Sequence, residues 1–186
     1  MRKTAISALM MILLLLPGCG EREARLEEGF QTLRQAVTAA ERIRFRAAMT
    51  ADYGGSAAEY TMSVSYDGRQ TTVELLTPEL LAGVKATALR GETQVGYDGV
   101  ILGAGPLDGE GLTPVSAIPV MLEAIASSYV ELLWWDGEAM AARLYVGENS
   151  VLTLWLDSTS LAPTAAEIAA DGRTVVTLRL EGWQIG

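Results

Sequence analysis

Residues 43–66 read IRFRAAMTADYGGSAAEYTMSVSY, and their period-two alternation sets the fold class. Apolar side chains hold the odd positions Ile43, Phe45, Ala47, Met49 and Ala51, with Arg44, Arg46, Thr50 and Asp52 between them. After Gly54-Gly55 they move to the even positions Tyr60, Met62, Val64 and Tyr66, separated by Thr61, Ser63 and Ser65. Such alternation marks a strand with one buried face. The turn signal Asp67-Gly68 closes the second strand. Thr71, Val73 and Leu75 continue the meander as far as Thr77-Pro78. An antiparallel sheet with one wet face needs a cover on the other.

Upstream, Glu21 to about Arg42 supplies one cover. Leu26, Phe30, Leu33, Val37 and Ala40 recur at spacings of four and three, the stripe of an amphipathic helix. Downstream, Pro78 to Gly83 is a bend, and short strands follow over Val84–Leu89, Thr93–Tyr97 and Val100–Leu102. Gly103 to Pro114 reads as loop, dense in glycine and proline. A second helix over about 116–129, capped by Ser116 and tolerating Pro119 in its first turn, supplies the other cover. The last third returns to strands: 143–146 and 151–156 around Gly147-Glu148-Asn149, then 164–170 and 174–181 around Asp171-Gly172. The sum is an α+β domain, a sheet covered by an N-terminal and an inserted helix.

The front of the chain differs. Arg2 and Lys3 precede an uncharged apolar run, Ala5 to Leu16, that stops at Pro17-Gly18-Cys19. A dozen residues fall well short of the ~20 of a spanning helix, so a secretory signal over 1–18 is expected. Leu16-Pro17-Gly18-Cys19 resembles the lipobox of bacterial lipoproteins, in which the cysteine carries diacylglycerol and becomes the first residue. Cys19 is the single cysteine, so no intrachain disulfide can form. The expected organisation is a signal over 1–18, lipidated Cys19 and helix over 19–41, and a β domain over 42–186. The partner implied is a membrane, reached through lipid on Cys19, on the extracytoplasmic side.

Charge and composition exclude several classes of function. Without residues 1–18 the chain holds 12 basic and 23 acidic residues, a net charge of −11 that repels phosphate backbones, so nucleic acid is not a partner. Histidine is absent, which removes the commonest general base and the commonest zinc ligand. Asp108, Glu110 and Glu123 form no calcium-loop pattern, and Ser127-Ser128 and Ser158 to Ser160 lack a nucleophile-elbow context. No catalytic constellation, cofactor site or metal site is expected.

Over nearly the whole mature chain the sequence resembles the LolA/LolB-type lipoprotein-carrier superfamily, which includes germination lipoproteins of spore formers. The resemblance rests on Ile43 to Ala47, Tyr66-Asp67-Gly68, Thr77 to Val84, Gly96 to Gly99, Trp155-Leu156-Asp157 with Leu161-Ala162-Pro163, and Asp171-Gly172. It implies a strongly curved, incomplete β-barrel whose hollow receives acyl chains. The expected ligand-binding residues are Trp134, Trp135, Leu122, Ile125 and Leu133, because this apolar cluster exceeds what one short helix buries, with glycine-rich 103–111 as the hinge of a lid. The function expected is binding of a hydrophobic ligand such as an acyl chain; the alternative is a non-enzymatic, protein-interaction regulator of a cell-envelope enzyme.

Overall fold

The computed structural model describes residues 19–52, 54–89, 91–106 and 110–186, apart from the side chains at 19 and 104–106. The expected signal over 1–18 and Asp108 lie outside the described residues, as does the middle of the expected hinge. Among the described residues two α-helices and eleven strands follow in chain order, with a short 3-10 helix over Glu79–Leu81. Helix α1 spans Cys19–Ala39 and α2 spans Ala117–Ser127. The strands are β1 Ile43–Asp52, β2 Ala57–Tyr66, β3 Gln70–Thr77, β4 Lys85–Leu89, β5 Glu92–Tyr97 and β6 Val100–Pro106. After α2 come β7 Val130–Asp136, β8 Ala139–Tyr145, β9 Ser150–Leu156, β10 Pro163–Ala170 and β11 Arg173–Ile185.

All eleven strands form one antiparallel sheet, ordered β6-β5-β4-β3-β2-β1-β11-β10-β9-β8-β7. It is curved and does not close, the incomplete barrel of an α+β fold. Strand β1 is its centre. On one side Phe45 faces Val64 and Ala47 faces Met62; on the other Ala47 faces Leu180 and Met49 faces Leu178. Its strict alternation of buried and exposed residues is what the sequence predicts. Closure of the β1–β11 pair joins a meander that follows β1 to one that ends the chain.

The core lies between the concave face and the helices. Leu26, Phe30, Leu33 and Val37 of α1 and Ile118, Met121 and Ile125 of α2 pack onto Met49, Met62, Leu144, Leu154 and Ile168, all buried. Arg34 locks the helices together. Its guanidinium lies 4.9 Å over the Phe30 ring, donates from Nε to the Ile125 carbonyl at 2.8 Å and from Nη2 to the Ser128 carbonyl at 2.7 Å. Ile125 lies in the last turn of α2 and Ser128 is the residue that ends it, so a cation of α1 serves as its C-terminal cap. Burial lowers the Arg34 pKa from its ordinary value, and the side chain stays charged.

Three expectations need correction. Residues 103–106, read as loop, continue β6. Strand β7 and the first half of β8 carry no recognisable alternation and are not expected as strands from the sequence. Ser116 makes no cap bond into α2. Instead Thr113 and Ser116 bond reciprocally: the Ser116 amide donates to Thr113 Oγ1 at 3.2 Å, and the Thr113 amide to Ser116 Oγ at 3.1 Å. This exchange across three residues is a capping box that starts the turn at Thr113.

Candidate functional site

Part of the concave face stays unfilled. Where the last turn of α1 and one flank of α2 rise from strands β1 to β4, a cavity of about 550 Å³ opens to solvent. Its walls are Val37 and Thr38 of α1, Pro119, Leu122, Glu123 and Ala126 of α2, and Ile43, Tyr66, Thr71 and Ala88 of the sheet, with Arg69 and Gly91 at the turns. That volume is within the ~300–1,000 Å³ of small-ligand sites. The lining is mixed: Val37, Ile43 and Leu122 are buried core residues, and buried Thr71 and exposed Thr38 set polar groups among them. Charge is confined to exposed Arg69 and Glu123, on opposite walls. Near Arg69, the Asp67 carboxyl is held below its ordinary pKa by the Gln70 amide, with smaller help from the Arg69 amide and guanidinium. The arrangement suits an apolar body with a polar end.

The sequence folds this way locally because α2 is apolar on nearly every side, from Ala117 to Ile125, while its two neighbours cover different flanks. Ile125 turns inward and is fully buried; Leu122, three residues earlier, turns to the cavity at 6% exposure.

The five expected binding residues do not form one site. Leu122 lines the cavity and Ile125 belongs to the core. Leu133 lines a separate groove of about 370 Å³ between β7 and Leu26, Glu27 and Gln31 of α1. Trp135 is paired with buried Met140 and turns to α1, where its Nε1 donates to the Arg22 carbonyl at 3.3 Å. The guanidinium groups of Arg22 and Arg25 lie 5.2 and 5.8 Å from its ring. Trp134, the next residue, is on the opposite face of the sheet, since successive strand side chains alternate. There Arg143 lies 5.7 Å from its ring. Its cross-strand neighbour Ala141 is 1% exposed although it is on the convex face. Trp155, which flanks Ala141 on the far side, donates from Nε1 to Asp136 across β8 at 2.8 Å. The tryptophan pair therefore serves two faces.

Sequence reasoning missed Val37, Ile43, Tyr66, Thr71 and Ala88 as cavity walls. A signal was present for Tyr66 and Ile43, which end their alternating runs on the buried face at the same edge, opposite one another in register. Glu110 lies beside Gly147, away from the cavity wall that Glu123 joins. Among the described residues no group of three His, Cys, Asp or Glu side chains is placed to hold a metal ion, and no helix is long and apolar enough to cross a membrane.

No known family model matches the chain, and no curated protein matches it in sequence. Solved structures do share its architecture. An uncharacterized conserved protein from Thermus thermophilus is 14% identical with a TM-score of 0.50, over 84% of this chain and 86% of that one. A LolA superfamily protein from Nitrosomonas europaea is 12% identical with a TM-score of 0.48, over 84% and 93%. The Mycobacterium tuberculosis lipoprotein LppX is 12% identical with a TM-score of 0.44, over 87% and 95%. At 12–14% identity the likeness is one of fold alone.

Proposed function

We propose that this protein is a non-enzymatic binding protein of the bacterial cell envelope, anchored by lipid on Cys19, which holds an acyl chain in the cavity beside α2. The cavity carries the reading. It sets the apolar side chains of Val37, Ile43 and Leu122 beside the exposed charges of Arg69 and Glu123, a combination that suits the tail and head of an amphiphile. The chain enters between α1 and the β3–β4 end of the sheet, against Val37, Ile43 and Leu122, and its head group stays at the rim by Arg69. Burial of each methylene contributes ~0.8 kcal/mol, so a tail with even half its length enclosed is held usefully. Trp135 and Leu133 act in this reading through α1, whose N-terminal half they seat.

The test is titration of the full chain with a fluorescent fatty-acid analogue, comparing wild type with Ala126→Trp, which fills the cavity from a half-buried position. Binding weakened at least tenfold, with an unchanged melting midpoint, supports the proposal; unchanged affinity defeats it. A second reading, regulation through protein contact, draws support from the exposed apolar residues Tyr97, Val100, Ile101 and Leu102.

A further inference from the structure

The two edges of the sheet are treated differently. At one edge, β7 carries exposed Glu131 at its second position, an irregularity between Val130 and Leu132, and α1 packed along it. Those are the devices by which proteins blunt a free edge. At the other edge, β6 has none of them along its first half. Its sequence VILGAGP has no charge, and Val100 to Gly103 pair regularly with Tyr97 to Gln94 before the register shifts. Among the described residues nothing pairs with its outer side. Val100, Ile101 and Leu102 are 60, 70 and 65% exposed, on both faces of the strand. A free row of backbone donors and acceptors between apolar side chains is a template for another strand.

We propose that β6 is a self-association edge, at which two copies of this chain pair antiparallel through Val100–Leu102 and join their sheets into one. Three chemical arguments select a second copy. A lipid surface suits the side chains but not the strand, because unpaired backbone groups are costly in hydrocarbon, and Asp98 stands at the tip of the same hairpin. A two-fold axis at Ile101 sets Ile101 against its own copy and Val100 against Leu102, so apolar meets apolar at every position. Charge placement agrees. Two acidic chains repel unless they meet where neither is charged, and β6 is such a place. In this register the two Asp98 side chains stand six residues apart along the seam, roughly 20 Å, beyond a screening length of about 8 Å. The seam is short, so pairing depends on concentration. It does not depend on the acyl-chain proposal, since the cavity walls contain no residue of β5 or β6.

The test is oxidative crosslinking of the full chain in its own membranes. Directly opposed Cβ atoms in an antiparallel pair are ~4.5–5.5 Å apart, so Ile101→Cys should give a disulfide-linked dimer on a non-reducing gel. Leu80→Cys, 88% exposed but outside the strand, and wild type with Cys19 alone should not. In sedimentation of the purified full chain, Ile101→Lys should be a monomer at concentrations where wild type is a dimer, both with the same melting midpoint. The proposal is overturned if Leu80→Cys links as readily as Ile101→Cys, if neither links, or if Ile101→Lys remains a dimer. A crosslinked band containing a different protein, with wild type monomeric alone, also overturns it and assigns the edge to a foreign strand.

Discussion

Replacing Arg34 by methionine keeps an unbranched stem over Phe30 and removes the guanidinium that ties α1 to α2. Two hydrogen bonds are lost, at 2.8 and 2.7 Å, both to carbonyls at the end of α2. Bonds from a charged donor contribute ~1.5–3 kcal/mol each when well enclosed. Arg34 is half-buried, so the lower end applies, about 3 kcal/mol for the pair. The cation–π contact over Phe30 is exchanged for a sulfur–aromatic one of similar size, ~0.3–1.5 kcal/mol, and nearly cancels. At 2–4 °C per kcal/mol for a domain of this length, the melting midpoint should fall by roughly 6–12 °C. Arg34→Lys should recover less than half, because a single ammonium cannot span both carbonyls as the planar fork does. Urea unfolding gives the free energy, and amide exchange shows where it is lost: protection should drop first in the last turn of α2. A loss below about 0.5 kcal/mol for Arg34→Met, or full rescue by lysine, would refute the clamp.

Gly111 has φ +74°, and an added Cβ would lie 2.9 Å from Ile168 Cδ1 and 3.1 Å from Val120. Gly111→Ala should therefore cost ~2–4 kcal/mol by backbone strain and overpacking in thermal unfolding; a neutral variant would show that the turn repacks. Asp157 is held below its ordinary pKa by the Ser160 amide and hydroxyl and the Thr159 amide, so its contribution is present above the unfolded pKa and lost as pH falls through the lower folded one. Asp157→Asn should flatten the decline in urea midpoint below the ordinary carboxylate range, and a decline as steep as wild type would contradict this. Cys19→Ala should move the protein out of the detergent phase, which an unchanged partition would disprove.

The parts of the fold governed by a single period are legible in the sequence. Ile43 to Ala51 alternates because one face meets helices and the other water, and Leu26 to Val37 repeats at helical spacing because one stripe is buried. Strand β7 escapes that logic. Leu133 and Trp135 pack toward α1 while Trp134 packs on Arg143 and shields Ala141, so both faces are apolar and the alternation vanishes. The adjacent tryptophans read as one cluster for the same reason. The cavity was only partly legible, through Leu122, because its walls come from six elements and its buried apolar members, Val37, Ile43 and Leu122, are also core residues. The clamp was not legible at all: Arg34 meets Ile125 across 91 residues, and nothing local distinguishes it from other helical arginines.

The most direct measurement for the central claim is photo-crosslinking of the full chain with a fatty acid carrying a diazirine on its tail, followed by peptide mapping. Adducts are expected on the cavity walls, at Val37, Tyr66, Leu122 and Ala126, and are lost when unlabelled fatty acid competes. Adducts in the groove at Leu133 and Gln31, on the convex face at Trp134, or nowhere, would contradict it.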